Sequence, residues 1–219
     1  MQQSIPLDLC SAVKELKEVA TMKGYVKPVY HEGHVIKALI SLYREGPLGR
    51  KLLSKKLGIG ETSVRNLINR LVDRDLVRVD KTAGSILTSR GEYIARLVEE
   101  KIHVLVNTRL YDWPNPVVVR ITTSLAEEID AMELRDLLVG IGVKKAVIAL
   151  NRYGEIIIPG LPREHESYRE VTGFLRELFR DLEDSVGVIV YASLSSSENI
   201  SVDAYRVGVV VLEYLCNIK

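Results

Sequence analysis

Cysteine is nearly absent from this 219-residue chain, and the two present, Cys10 and Cys216, stand near opposite ends without CxxC spacing. Neither a zinc site nor a disulfide framework is indicated, and both read as reduced, semi-buried apolar residues. Histidine is equally sparse. His31 and His34 are three apart but lack a third nearby ligand, and His103 and His165 stand alone, so no metal site is expected. No stretch approaches the roughly 18 apolar residues needed to cross a bilayer. The first twenty residues mix Asp8, Lys14, Glu15, Lys17 and Glu18 with apolar ones, so the chain reads as cytoplasmic, neither secreted nor inserted in a membrane. Glutamine occurs only at positions 2 and 3, a bias met in proteins of hot environments.

Catalytic signatures are also missing. There is no GxxxxGK[ST], no nucleophile elbow and no HExxH. The Gly140-Ile141-Gly142 triplet looks like a fragment of a dinucleotide loop, but it follows a helical segment and reads as a helix C-cap. No cofactor is implied.

What is present fits a two-part soluble protein, with 47% hydrophobic and 27% charged residues. Thirty basic residues almost balance 29 acidic ones, yet the balance is uneven along the chain. Residues 1–33 are neutral; residues 34–103 hold fourteen Lys and Arg against eight Asp and Glu; residues 104–219 hold twelve against seventeen. A basic module joined to an acidic one suggests a polyanion binder carrying a domain with another task.

Hydrophobic spacing predicts a helix over 8–20, with Leu9, Val13, Leu16 and Val19 on one face, which packs on its own chain or forms a dimer. A second helix is predicted over 34–44, ended by Gly46-Pro47, and a third over 49–57. The turn Gly58-Ile59-Gly60 leads into a fourth over 61–74, whose inward stripe is Val64, Leu67, Ile68 and Leu71. A strand at 76–79, a tip at 81–84, a returning strand at 85–87 and a helix reaching about residue 101 follow. Three helices, a two-stranded wing and a closing helix are the order of a winged helix-turn-helix.

The run LGRKLLSKKLGIGETSVRNLINRLVDRDLVRVDKTAGSILTSRGEYIARL resembles the winged-helix modules of many prokaryotic transcription regulators. With the later run MELRDLLVGIGVKKAVIALNRYGEIIIPG, it resembles an archaeal family of uncharacterised proteins that join such a module to a small α/β domain of unknown role, the DUF4443 type. The resemblance implies a winged helix followed by an α/β domain and supplies no ligand.

Removing the apolar stripe from 61–74 leaves Thr62, Ser63, Arg65, Asn66, Asn69 and Arg70 facing outward. Arg can bond guanine O6 and N7, Asn can bond adenine N6 and N7, and Ser or Thr can serve phosphates or bases. Arg50 and Lys51 open the preceding helix, where free N–H groups favour an anion, and Arg78 and Lys81 place charge on the wing. The expected partner is double-stranded DNA. The outer face is neither acidic nor strongly apolar, as a surface for protein or RNA would be.

Beyond the break at 111–116, strands are expected at 117–121, 145–150, 155–158 and 187–192, and helices at 126–138, 167–182 and 202–216. The fold class is therefore α+β: a winged helix-turn-helix domain (34–103) behind a lead-in helix (1–33), then a small α/β sandwich (104–219). Two polar sets in the sandwich are candidates for a small-molecule effector: Glu133, Arg135 and Asp136, and the loop residues Ser195, Ser196 and Ser197. The function expected is a DNA-binding transcription regulator, working as a homodimer, with a sensing or assembly domain. The alternative is a metabolite-acting enzyme with an appended winged helix for regulation or docking.

Overall fold

The computed structural model describes residues 8–21, 28–194 and 199–218. The chain divides into two compact units, Met1–Glu100 and Lys101–Lys219.

The first unit is helical with one hairpin. Helix α1 (Leu9–Ala20) is opened by Asp8, whose carboxylate accepts from the Ser11 N–H at 2.8 Å. Its apolar stripe, Ala12, Val13, Leu16 and Val19, is buried against α2 (Glu32–Glu45) and α4 (Glu61–Val72), so the face packs on its own chain. His31 caps α2 by accepting from the Gly33 N–H, and His34 Nδ1 in turn accepts from the His31 N–H. These two histidines serve a helix start.

Helix α3 (Arg50–Leu57) ends at Gly58, which takes the left-handed conformation at φ 71°. Ile59 fills the turn and is 9% exposed, while Ser54 Oγ donates to its carbonyl at 2.6 Å. Helix α4 then buries Val64, Leu67, Ile68 and Leu71, each contributing on the order of 1.5–3 kcal/mol of transfer free energy. Strands β1 (Val77–Asp80) and β2 (Gly84–Leu87) form the antiparallel wing, with Val77 opposite Leu87 and Asp80 opposite Gly84. Leu48 exchanges two backbone hydrogen bonds with Ser85, at 3.1 and 2.9 Å, and so anchors the wing's returning strand to the lead into α3. Gly84 makes this possible: φ is +97°, and a Cβ there would lie 2.7 Å from the Leu48 carbonyl oxygen. Helix α5 (Ser89–Lys101) closes the sequence of elements and buries Ile94, Ala95 and Val98. The architecture is that of a winged helix-turn-helix.

The second unit is a five-stranded, wholly antiparallel sheet in the order β3-β4-β7-β5-β6, from β3 (Ile102–Val106), β4 (Pro116–Thr122), β5 (Val143–Arg152), β6 (Glu155–Ile157) and β7 (Val186–Leu194). Helices α6 (Ala131–Gly140) and α8 (Ile200–Asn217) pack on one face, where Gly208 leaves room for the Ile102 and Val119 side chains. Helix α7 (Glu166–Leu178) covers the other, its Val171 and Leu175 packed with Val118, Ala149, Ile189 and Tyr191. With helices on both faces, β4 and β7 are buried along almost their whole length and are built mostly from apolar residues. The class is α+β, a winged helix unit followed by an α/β sandwich.

Four details differ from the sequence reading. The helix expected over 126–138 is two pieces, a 3-10 turn at Ala126–Glu128 and then α6, because Asp130 interrupts to accept from the Met132 and Glu133 N–H groups. Strand β3 was not foreseen: its IHVLV run follows α5 without a breaker. Helix α7 stops at Leu178, four residues short of the expected end, before a 3-10 turn at Leu182–Asp184. Finally, neither cysteine is a free thiol; both are disulfide-bonded. Pairing depends on the distance between Cβ atoms in the fold, which spacing along the chain does not encode.

Candidate nucleic-acid interface

Helices α3 and α4 both begin at glycine, Gly49 and Gly60, and neither start has a side-chain cap. Their first-turn N–H groups are therefore open to an outside acceptor. The α4 stripe that holds the helix to the core leaves Thr62, Arg65, Asn66 and Asn69 exposed and Ser63 and Arg70 half-buried.

A cleft of about 660 Å³ runs between α4 and the wing. It gathers Arg50 from the start of α3, Arg65 and Asn69 from α4, and Lys81 from the wing tip. Ile68, Val79, Gly84 and Ser85 also line it. Asp80 shapes the tip: one of its carboxylate oxygens accepts from the Thr82 and Ala83 N–H groups, each at 2.8 Å. The bond from Ala83 and then that from Thr82 hold this carboxyl below the usual carboxylate range, and the nearby Arg78 charge adds to the effect. That oxygen is taken up by the turn.

The distribution of pairing is informative. Lys56 pairs with Glu45 at 2.7 Å, Arg74 with Glu18 at 3.1 Å, Arg90 with Glu15 at 2.7 Å, and Arg44 with Glu99. Among the described residues, the side chains of Arg50, Arg65, Asn69 and Lys81 have no hydrogen bond or ion pair. The same holds for Lys51, Thr62 and Asn66, which are exposed beside the cleft but do not line it. Arg78 is exposed on β1 outside the cleft and acts on Asp80 through its charge.

Arg70 is placed differently from the sequence reading. Its Nη1 donates to the carbonyls of Val19, at 2.8 Å, and Thr21, and its guanidinium lies 5.7 Å from the Tyr30 ring centre. The last carbonyls of α1 have no partner within their own helix, and they draw Arg70 away from the face that carries Arg65. Val79, in contrast, is a cleft residue that sequence reasoning missed. It is 61% exposed, although a valine in a strand reads as core.

In the second unit, Glu133, Arg135 and Asp136 are all exposed on α6, but Arg135 alone of the three lines a cleft of about 480 Å³ with Asp130, Met132, Ala146, Ile148 and Ile158. Ser195, Ser196 and Ser197 lie outside the described residues. Among the described residues no group of three or more His, Cys, Asp and Glu comes together, and no helix is long and apolar enough to cross a membrane.

A winged helix with an uncapped, cation-bearing cleft, followed by an antiparallel α/β sandwich, is the class that fold and site define. Residues 34–93 match the family described as PH0730-like, N-terminal domain. Among solved structures, the chain is similar to the hypothetical protein PH0730 from Pyrococcus horikoshii OT3. The two share 23% identity and a TM-score of 0.58, over 85% of this chain and 95% of that one. The likeness is one of fold. No curated protein matches the chain.

Proposed function

We propose that this protein is a double-stranded-DNA-binding transcription regulator of the winged-helix type, with α4 as its recognition helix and the wing as a flanking contact. The observation that carries the reading is the unpaired set Arg50, Arg65, Asn69 and Lys81 around one cleft, beside arginines of the same unit that are tied to carboxylates. Leaving cations unpaired gains nothing for folding, and it suits a polyanionic ligand. Arg50 with the open N–H groups of α3 grips phosphate, and Lys81 adds a second phosphate contact from the wing. Arg65 and Asn69 present base-reading chemistry to the major groove.

The chain is grouped here with the DUF4443-type proteins that its sequence resembles, and its second unit is assigned to sensing or assembly rather than to turnover. The working form is a cytoplasmic homodimer on a two-fold site, which sets half-site spacing near one helical turn. The test is a fluorescence-anisotropy titration of the full chain on labelled duplex, single-stranded DNA and duplex RNA of the same sequence across a salt series. Duplex DNA binds tightest, with a steep salt dependence. Weak, salt-insensitive binding to all three refutes the proposal.

A further inference from the structure

The edge of the second unit's sheet is incomplete in a way that defines a binding site. Strand β5 pairs with β7 along its whole length, from Val143 opposite Leu194 to Arg152 opposite Val186. On its other side β6 pairs only with Leu150, Asn151 and Arg152. The two-residue turn Tyr153-Gly154, with φ of 48° and 87°, makes Arg152 and Glu155 the hydrogen-bonded pair that closes the hairpin. Counting back by twos, the N–H and C=O groups of Ile148 and Ala146 point to the same side as those of Arg152. There β6 has already ended.

Among the described residues no other backbone or side chain bonds to Ala146 or Ile148 on that side. Ile148 is nevertheless 5% exposed. Near-buried backbone groups left unmatched are costly and normally find a partner. The space beside them is the 480 Å³ cleft, walled by Ile129 to Met132 and Arg135 around the start of α6 and by Ile158–Leu161, where the chain turns away after β6. Its walls supply apolar surface from Ile129, Met132, Ile148 and Ile158. Asp130 is engaged as the α6 cap. Arg135 on the wall and the exposed Lys144 two residues up the strand from Ala146 have no partner among the described residues.

We propose that the β5 edge is a docking site for a short extended peptide that adds in line with β6 as a further strand. Its backbone exchanges hydrogen bonds with Ala146 and Ile148. Its alternate side chains are apolar and rest against Ile129, Met132 and Ile158. A carboxylate, from a free chain end or an acidic side chain, meets Arg135. Backbone pairing gives the affinity and the alternate side chains the selectivity. A second copy of this chain is a poor occupant, because the strand edge is open only above Leu150 and a partner's own β6 would collide with it.

The test titrates ¹⁵N-labelled full-length protein with acetyl-Thr-Val-Thr-Val-Thr carrying a free carboxyl end, followed by NMR and amide exchange. Ala146 and Ile148 amides exchange fast in the free chain and gain about tenfold or greater protection with peptide, with saturation below about 1 mM. Of two peptides methylated on alternate backbone nitrogens, one loses about tenfold or more in affinity and the other little. Amidating the carboxyl end weakens binding several-fold, and this difference disappears in Arg135→Gln. Protection of both amides in the free chain overturns the proposal, as does absence of saturable binding. Equal binding of both methylated peptides overturns it too and assigns the cleft to any small amphiphile. Binding of the peptide with amidation and Arg135→Gln both silent removes the carboxylate contact and overturns that part.

Discussion

The sharpest test of the proposed DNA interface is the salt dependence of a triple variant, Arg50→Ala, Arg65→Ala, Lys81→Ala. These three cations line one cleft and have no intramolecular partner among the described residues, so removing them strips no ion pair from the fold. Each phosphate that is no longer neutralised lowers the slope of log K against log salt by about 0.9, or roughly 1.8 for the two phosphate contacts assigned to Arg50 and Lys81. Between 50 and 200 mM salt that difference amounts to about 12-fold: the parent chain loses that much more affinity than the variant over the same window. Fluorescence anisotropy on a 25-base-pair duplex at four or five salt concentrations measures it, with circular dichroism to confirm equal folding. Arg163→Ala, at an exposed arginine paired with Glu155 in the second unit, is the control and keeps the parent slope. Asn69→Ala behaves differently. If Asn69 reads an adenine, it loses roughly 5- to 150-fold on the preferred site and little on unrelated sequence. A triple variant whose slope equals the parent's removes the cleft from the binding surface and refutes the reasoning.

The remaining expectations concern the parts that hold this surface in place. Arg70→Ala loses the bonds to the Val19 and Thr21 carbonyls and destabilises the chain by about 1.5–3 kcal/mol in urea unfolding; its salt slope stays at the parent value, whereas a slope loss without a stability change returns Arg70 to the DNA face. Gly84→Ala forces a Cβ to within 2.7 Å of the Leu48 carbonyl at a positive φ, so the Leu48–Ser85 bridge opens, and a cost of about 1 kcal/mol or more lowers Tm by roughly 4–8 °C; an unchanged Tm sinks this account of the wing. Asp181 is held below the usual carboxylate range by its 2.6 Å bond to the buried Arg120. A depressed folded-state value means that this stability is present above the unfolded value of about 3.9 and is lost as pH falls through the folded one. Asp181→Asn is accordingly less stable than the parent at pH 6, the gap narrows as pH is taken below about 3.9, and a difference independent of pH excludes the pair as its origin.

Much of this molecule was legible as one-dimensional pattern because the physics involved is local. The α4 stripe of Val64, Leu67, Ile68 and Leu71 reads as a helix since the period of burial is the period of the helix. The hairpin at Asn151 to Gly154 reads from its turn residues. Strand β3 did not, because Ile102 to Val106 is apolar in the same register as the end of α5 and its strand character comes from pairing with Val117 to Ile121, made elsewhere in the chain. Arg70 failed for a related reason. On a helical wheel it sits beside Ser63 and Asn66, and only the arrival of the α1 carbonyls, about fifty residues earlier in sequence, decides which way it turns.

The same distinction governs the two sites. A helix rich in Arg and Asn is a statement about composition, shared by many solvated surfaces. What separates Arg65 from Arg74, in the same stretch after Gly60, is that Arg74 meets Glu18 while Arg65 meets nothing among the described residues. Likewise the β5 edge owes its open stretch to β6 being three residues long and to the turn at Gly160, φ 78°, that carries the chain away. In both places the proposed function rests on groups that the fold leaves unmatched: exposed cations that suit a polyanion at the cleft, and strand-edge N–H and C=O groups that are costly to bury without a partner.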